Sequence, residues 1–396
     1  MRLIPLPTNS VRPGRPLPFA LRDAAGHLLL ARGQTVGSQA QLEAMVARGL
    51  WVDEQESEAY RKEFAQAMDA MVRQDHLLGD IAKAKPDIKV SAEGAKAEAV
   101  AGWPDLQMRA HTLLRDPRPE DFLPRLEKLR EDMLWHLKND ADGSLLQLIH
   151  QASLDIRHYS ASHAMLVMVA CHMAYQQLPW ALDWQRPLEL AALTMNIATT
   201  GLQDLLAEQI DPVTPEQRSK INDHAQASME LLQTLGVHEP LWLDAVFFHH
   251  AHVPGPLAKR PPGQQLARLI QRADVFGSRL SPRRNRKALA ASAAAQAAYL
   301  DENKQADEAG AALIKALGIY PPGCLVRLAN GEVAVVLKRG RAANAPLVAS
   351  VVSKSGTPLG EPAVRDTRLQ TQAVTGSVAP HELRLRLNME RLLKLS

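Results

Sequence analysis

The sequence predicts a mainly helical protein with a small α+β module in front and a short β tail behind. The hydrophobic fraction is 46% of 396 residues, whereas only 4% of the residues are aromatic. Such a core is built mostly from Leu, Ala and Val, which suits helix-on-helix packing better than a β-sandwich. Strand-like runs occur near the two ends of the chain, and apolar residues in the long middle recur at helical spacing.

The length of the chain predicts two or three structural units. We place their boundaries where the sequence pattern changes: a small α+β module at 1–53, a helical connector at 54–143, a helical domain at 144–318, and a β tail with a terminal helix at 319–396. Within the connector, residues 84–101 are rich in Ala, Lys and Glu and have few large apolar side chains. They are expected to form a flexible linker.

The front module contains a predicted strand–turn–strand hairpin. Two runs, Phe19–Asp23 and Leu28–Ala31, flank Gly26, which is a typical turn residue. A short helix is expected over Gln39–Arg48, because Gly49 directly after it is a typical helix end.

Helical spacing runs through the connector and the central domain. Apolar residues three and four positions apart predict helices over 54–83, 106–114 and 123–137. Thr214 followed by Pro215 is typical of a helix start, because proline is well tolerated at the first helical position. Breaks between the central helices are expected at Leu178-Pro179, Gly201, Pro212–Pro215, Gly236, Pro254–Pro256 and Pro261-Pro262.

Two local compositions add to this pattern. Asn139–Gly143 combines Asn, Asp and Gly, so it predicts a turn. Ala288–Ala298 is almost wholly small and apolar, so it predicts a helix.

The period of the apolar residues changes after the helical domain. Cys324–Leu328, Ala334–Leu337 and Leu347–Val352 are strand-like, and Asn330-Gly331 is a typical hairpin turn. Leu383–Leu395 is predicted to be a terminal amphipathic helix.

Charge and apolar runs exclude several classes of function. The net charge of +3 gives no reason to expect binding to a nucleic-acid polymer. The longest apolar run, Ala164–Ala174, is too short to span a membrane, and Met1–Pro5 lacks the apolar stretch of a signal peptide. Cys171 and Cys324 lie far apart and are expected to be buried free thiols. We therefore expect a cytoplasmic protein with no membrane span.

The middle of the chain carries residues that can bind a transition metal. His163, His224 and the pair His249–His250 offer imidazoles, and Asp274 offers a carboxylate. A hydrolytic metal site would also be expected to place ligands between these residues. The stretch Leu193–Thr200 lies there and contains neither an acidic residue nor a histidine.

Two of these residues also have a structural interpretation. A lone histidine on an apolar helix, such as His163, is more often a hydrogen-bonded core residue than a ligand. Asp274 more often pairs with a nearby arginine, here Arg272 or Arg279, than binds a metal alone.

A basic cluster follows the last candidate ligand. Its members are Arg279, Arg283, Arg284, Arg286 and Lys287. One interpretation is a solvated helix start, which is the usual role of a charge run. The other is a phosphate-binding site, because guanidinium groups bind phosphate through two parallel hydrogen bonds.

Several stretches together resemble the HD-GYP domains, a branch of the HD phosphohydrolases that hydrolyse cyclic di-GMP in bacteria. The matching stretches are Tyr159–His163, Val213–Glu216 with Asp223-His224, His249-His250, Arg272–Phe276, and Lys315–Gly323 with Leu325–Glu332. The last match is the most specific. Residues 13–52 also resemble a small module often placed before such domains. The resemblance implies an HD-domain helical bundle for the central domain.

The resemblance also implies roles for individual residues. Its metal ligands fall on His163, His224, His249, His250 and Asp274, and we expect a vestigial site that holds at most one divalent transition metal ion. Its phosphate-binding positions fall on Arg283, Arg286 and Lys287.

The departures from the family pattern lie at the catalytic positions. Met195-Asn196 stands where the family has His-Asp, Thr199 where it has lysine, and Ala251 where it has glutamate. Val253–Pro256 replaces the Gly-Tyr-Pro loop. A carboxylate that bridges two metal ions cannot be replaced by the neutral amide of Asn196, so the metal-bound nucleophile is lost. No catalytic residue is therefore assigned.

The expected function is that of a catalytically inactive HD-GYP-like regulator or scaffold in cyclic di-GMP signalling, which acts through a protein partner. Two alternatives stay open. The first is a sensor that binds a cyclic dinucleotide without cutting it, and the second is a residual metal-dependent phosphodiesterase.

Overall fold

The computed structural model describes residues 3–6, 11, 17, 19–36, 39–47, 49–54, 56, 101–154, 156–383, 385 and 387–396. The chain divides into two compact units, Met1–Met108 and Arg109–Ser396. The predicted helix at 54–83 and the predicted linker at 84–101 lie outside the described residues, except at their ends.

The first unit contains a small antiparallel sheet with strand order β1-β4-β2-β3. Its strands are β1 (Leu3–Pro5), β2 (Leu21–Arg22), β3 (Leu28–Leu30) and β4 (Trp51–Asp53), and its helix is α1 (Gln39–Val46). The hairpin expected around Gly26 is present, since Leu21 pairs with Leu30 across the turn. Gly26 has a φ of +89°, a conformation that side chains with a Cβ rarely adopt.

The rest of the described chain is mainly helical, as the sequence predicts. The helices are α2 (Trp103–Arg115), α3 (Phe122–Asn139), α4 (Ala141–Leu154), α5 (Tyr159–Tyr175), α6 (Gln185–Thr194), α7 (Thr200–Glu208), α8 (Pro215–Thr234), α9 (Pro240–Phe248), α10 (Pro262–Leu280), α11 (Ala291–Tyr299) and α12 (Glu308–Leu317).

The start of α8 has the cap that the sequence predicts. The hydroxyl of Thr214 accepts a hydrogen bond from the amide of Gln217, whose side chain accepts one from the amide of Thr214. This reciprocal pair satisfies amide donors that have no partner inside the helix. Gly236, with a φ of +87°, then follows the end of the helix.

Three helix boundaries differ from the prediction, and in the first of them a local hydrogen bond is the reason. Only Asp140 separates α3 from α4. Its carboxylate accepts a hydrogen bond from the amide of Gly143, so the next helix begins directly after it. Gly201 lies inside α7, and the break falls before it, at the short 3-10 turn Ile197–Thr199. The helix predicted from Ala288 begins at Ala291.

Helix α5 lies at the centre of the second unit. It is buried almost all around its circumference, which is typical of a central core helix. Helices α6, α10 and α12 pack against it, and α9 packs against both α10 and α6. This arrangement buries His224, near the middle of α8, and His249, directly after α9.

The C-terminal part of the chain forms an antiparallel sheet in the order β8-β7-β6-β5-β9. Its strands are β5 (Leu325–Leu328), β6 (Val333–Lys338), β7 (Leu347–Val352), β8 (Pro358–Asp366) and β9 (Val374–Val378). The first three match the prediction. The other two were missed because β8 and β9 carry few of the apolar residues that signal a strand.

The terminal helix α13 (Met389–Leu395) is shorter than predicted. The side chain of Asn388 caps it by accepting a hydrogen bond from the amide of Arg391. The helix therefore begins after Asn388 and not at Leu383 as expected. No helix in the described part of the chain is both long and apolar enough to cross a membrane.

Candidate metal centre

Three histidines from two neighbouring helices form one cluster. His224 lies in α8, and His249 and His250 follow directly on the end of α9. One ring nitrogen of each residue lies within 4.8 Å of the others. His249 is fully buried, His224 is almost so, and His250 is exposed at the surface. The cluster therefore has a closed side and an open side.

Backbone carbonyl groups fix the orientation of the two buried rings. His224 Nδ1 lies 2.6 Å from the carbonyl oxygen of Ile221, and His249 Nδ1 lies 2.6 Å from that of Val246. Because a carbonyl oxygen only accepts, each Nδ1 carries the proton and donates it. Each Nε2 is then left with a free lone pair, which is the form in which histidine binds a metal.

The two Nε2 atoms face each other at 3.1 Å. Two lone pairs at this distance repel unless a proton or a cation lies between them. Burial, together with the neighbouring imidazoles of His250 and His224, lowers the pKa of His249 to about 3, so an added proton is disfavoured. Two nitrogen ligands of one tetrahedral zinc ion lie about 3.3 Å apart. The cluster therefore fits a single divalent transition metal ion.

His163 and Asp274 form a separate pair beside this cluster. His163 Nε2 donates to Asp274 Oδ1 at 2.7 Å, which joins α5 to α10. The prediction that Asp274 pairs with Arg272 or Arg279 is wrong, because Arg272 bonds instead to Leu300 and Glu302. His163 is 2% exposed, in agreement with its interpretation as a hydrogen-bonded core histidine.

Gly277 lets the His163 ring lie directly against α10. A Cβ atom at this position would come within 3.2 Å of two atoms of the imidazole, closer than side chains normally pack. The role of Gly277 cannot be seen in the sequence, because the contact with His163 joins residues more than 100 positions apart.

The carboxylate of Asp274 is held in its charged form. Burial alone would raise its pKa, but the hydrogen bond from His163 and the nearby imidazoles of His250 and His249 outweigh burial and lower it. The carboxylate is not part of the three-histidine cluster. His163 and Asp274 are thus near the candidate metal centre but are engaged with each other.

Met195 and Asn196 join α6 to the short 3-10 turn Ile197–Thr199, and the residues on either side of them contact the two histidine-bearing helices. Just before them, Thr194 accepts a hydrogen bond from the Trp242 indole of α9. Just after them, the amide of Ala198 donates to the Ser228 hydroxyl of α8. Met195 itself is 1% exposed. A thioether and a neutral amide therefore occupy the segment where the family resemblance expects His and Asp.

The basic cluster is a turn, and not the start of a helix as one interpretation had it. Arg283 and Arg286 pair backbone to backbone, and Arg284 and Asn285 form the tip. The Arg286 side chain donates to the carbonyl groups of Ser278 and Ser281 at the end of α10. It is thus already used to close a helix end.

The other cations of this turn are more accessible. The Arg283 guanidinium lies 5.1 Å from the centre of the Tyr159 ring and donates to its hydroxyl. Arg284 and Lys287 are exposed. All of them border a groove of about 440 Å³, and among the described residues no carboxylate belongs to its lining. Of the predicted phosphate-binding residues, Arg283 and Lys287 are placed to contact a ligand in this groove.

A buried ion network on α10 was not foreseen from the sequence. Arg268 is 5% exposed, and all three of its guanidinium nitrogens are hydrogen-bonded. Its acceptors are Asp307, Glu302 and the Gln271 amide oxygen. The two carboxylate partners lie at positions 302 and 307, so the network joins α10 to the segment before α12.

A curated relative links this fold and site to known proteins. The chain is 27% identical over 241 residues to cyclic di-GMP phosphodiesterase PA4108 from Pseudomonas aeruginosa. The match covers 59% of this chain and 58% of the relative, so it spans little more than half of that protein. No protein-family model matches the chain. The similarity confirms the resemblance to HD-GYP proteins seen in the motifs.

A solved structure also resembles the chain at a low level. It is described as "Bd1817, a HDG"Y"P protein from Bdellovibrio bacteriovorus", with 14% sequence identity and a TM-score of 0.41. The match covers 79% of this chain and 99% of that chain. A likeness of this degree carries no functional argument.

Proposed function

We propose that the protein is a catalytically inactive, HD-GYP-like regulator or scaffold in bacterial cyclic di-GMP signalling, which acts by binding a protein partner. The observation that carries this proposal is the ligand set of the candidate metal centre. Among the described residues, this set contains three imidazoles and no carboxylate. Two-metal hydrolysis places its ions about 3.5–4 Å apart and needs an anionic group between them.

The missing bridge cannot be supplied by the neighbouring residues. Asn196 offers a neutral amide, and Met195 offers a soft thioether that matches iron or manganese poorly. The only nearby carboxylate named by the family resemblance, Asp274, accepts its hydrogen bond from His163. One divalent ion at the three histidines would supply Lewis-acid chemistry. His224 and His249 would hold it through Nε2, with each Nδ1 fixed by a backbone carbonyl group.

The experiment is a turnover assay on the purified chain with cyclic di-GMP and added manganese, iron or zinc. We expect no linear dinucleotide and no GMP among the products, and elemental analysis should find at most one transition metal ion per chain. Turnover that disappears in the variant His249→Ala would overturn the proposal, and so would two or more bound metal ions per chain. The PA4108 relationship makes cyclic di-GMP the substrate to use.

A second function is favoured by the groove at the basic turn. Its four cations, without a carboxylate in the lining, suit a bis-anionic ligand such as cyclic di-GMP. Binding without hydrolysis would make the protein a sensor. Isothermal titration calorimetry with cyclic di-GMP separates this function from the scaffold role, because a pure scaffold gives no heat of binding.

The sensor test needs variants that leave the fold intact. Arg283→Ala combined with Lys287→Ala removes two charges that face the groove, and we expect it to weaken cyclic di-GMP binding. Arg286→Ala is unsuitable for this purpose, because it also removes hydrogen bonds to the end of α10. Removal of the exposed Lys259 is a matched control on another surface.

A further inference from the structure

A second basic cleft lies between the end of α12 and the sheet. It has a volume of about 480 Å³, and its lining includes Lys315, Tyr320, Arg339, Arg341 and Asp142. No residue of the basic turn Arg283–Lys287 borders it. The size falls in the range of small-molecule sites, which is about 300–1,000 Å³.

The charges around this cleft are unbalanced. Its lining holds three cations and one carboxylate, and that carboxylate is already taken, because Arg339 Nε donates to Asp142 Oδ1 at 2.5 Å. Among the described residues, no carboxylate lies within ion-pair distance of Lys315 or Arg341. The cleft therefore carries a local net charge of about +2, which favours an anion.

Arg339 is held in a fixed position at the floor of the cleft. Its Nη1 donates to the carbonyl oxygen of Ala316 at 2.7 Å, in addition to the bond from Nε to Asp142. Nη2 has no acceptor among the described residues, so it is left for a ligand. An arginine that is already ordered loses less conformational entropy when it binds phosphate.

The loop between β6 and β7 presents Arg341 on the same side. A Cβ atom at Gly340 would come within 1.9 Å of the carbonyl oxygen of Ala345, so the chain can fold back here only with glycine. The amide of Ala345 also donates to Ala342 inside the loop. Lys315 faces the cleft from the last turn of α12. A cation in the last turn of a helix also interacts favourably with the helix dipole. Arg341 lies in a loop, so the dipole does not explain its position.

A second cavity of about 280 Å³ adjoins the first and shares Lys315, Ala316 and Arg339 with it. It is lined by polar groups that include His172, Gln176 and Gln177. The His172 ring is held through Nδ1, 2.6 Å from the buried carboxylate of Glu189. These side chains can hydrogen-bond the uncharged part of a ligand whose anionic end lies at the shared cations.

From these observations we infer that the cleft binds the phosphate group of a small phosphorylated molecule, with Lys315, Arg339 and Arg341 as its phosphate contacts. Arginine recognises phosphate through paired hydrogen bonds, and lysine adds a point charge. Inorganic phosphates and nucleotides share this chemistry. The adjoining polar cavity favours the ligand with an organic part.

The test compares two double variants of the full-length chain that remove equal charge. Lys315→Ala with Arg341→Ala disables the cleft, whereas Lys259→Ala with Lys354→Ala removes two exposed lysines that border neither the cleft nor the groove at the basic turn. The probes for calorimetry are pyrophosphate, GMP and uncharged guanosine. We expect GMP to bind the wild type, pyrophosphate to compete with it, and guanosine alone not to bind. The cleft variant should lose affinity for GMP by roughly tenfold or more, and the control variant should change it by less than about twofold.

The outcomes separate the possibilities. Equal losses in both double variants would mean unspecific attraction to positive charge and would overturn the inference, as would the absence of binding by both phosphate probes. If pyrophosphate binds tightly and GMP does not, the cleft binds phosphate but the adjoining cavity does not bind the organic part of a ligand. If the cleft variant does not fold, Arg341→Ala alone serves instead, because this exposed side chain makes no hydrogen bond to the described residues.

Discussion

Two buried polar clusters differ in how completely their atoms are satisfied. Around Arg268, each guanidinium nitrogen has an acceptor, and the positive charge meets Asp307 and Glu302. In the three-histidine cluster, two Nε2 lone pairs face each other at 3.1 Å. Satisfied charges contribute to the fold as it stands. Unsatisfied lone pairs in fixed positions indicate a site that is completed by something else.

The largest effect is expected at the satisfied cluster. Arg268→Ala leaves the buried Asp307 without its cation, while Glu302 keeps Arg272, and we expect a loss of about 3–5 kcal/mol in the free energy of unfolding. Urea denaturation measures it, with and without zinc. The loss should be the same in both conditions. A loss of stability that depends on zinc would mean that the two clusters are coupled, and it would contradict this prediction.

The histidine cluster should behave in the opposite way. With zinc at about a hundred times its dissociation constant, the wild type should gain about 2.7 kcal/mol of stability, because a ligand of the folded state adds this much by mass action. His224→Ala should lose this gain. Met195→Leu is the matched control, since it keeps the buried volume and removes the thioether. If Met195→Leu also abolished the zinc response, the sulfur would have to be counted among the ligands.

Restoring the family pattern sharpens the comparison further. Met195→His together with Asn196→Asp should raise the metal content above that of either single variant, because bridging and terminal ligands depend on each other. Elemental analysis gives the metal-to-protein ratio of all three variants. If the gains in metal content are simply additive, the two sites are independent. If no variant gains metal, the space between residues 195–196 and the helices α8 and α9 is too small for an ion.

A smaller effect is expected at the basic turn, where two cations of equal charge have different surroundings. Arg286→Ala removes hydrogen bonds to the Ser278 and Ser281 carbonyl groups and should destabilise the protein by about 1–3 kcal/mol. Lys287→Ala, at an exposed position, should change stability by less than about 0.5 kcal/mol. Thermal unfolding of the two variants side by side decides this, and equal effects would contradict the structural role of Arg286.

The smallest effect concerns acid stability. The hydrogen bond from Arg268 lowers the pKa of Glu302 to about 2, from an ordinary value of 4.5. Because the folded-state pKa lies below the unfolded one, this contribution is fully present above about pH 4.5 and is lost as the pH falls toward about 2. Glu302→Gln should therefore show a flatter loss of stability between these pH values. The side chain is partly exposed, so the difference will be modest.

Signals that act within a few residues made much of the fold predictable. The cap at Thr214, the hairpin at Gly26 and the glycine after α8 depend on hydrogen bonds or backbone angles inside one turn. The strands β8 and β9 were not predictable in this way. They are held mainly by pairing with β7 and β5, and their own residues are largely polar.

The candidate metal centre was predictable only in part for a similar reason. The resemblance to HD-GYP proteins singled out His224, His249 and His250, and the structure places them together. The pairing of His163 with Asp274 joins residues 111 positions apart, and the sequence pointed to Arg272 instead. The internal role of Arg286 was hidden as well, because a charge run does not show which of its members reaches a carbonyl group.

The hydrogen bonds that orient His224 and His249 each reach only three residues back, to Ile221 and Val246. Contacts of such short range form on the time scale of helix formation, well before distant parts of a chain meet. The tautomers of both rings are therefore set as soon as α8 and α9 form. A metal ion present during folding would then meet two prepared ligands, and its capture would help to draw these two helices together. In this view the histidines would guide the assembly of the fold.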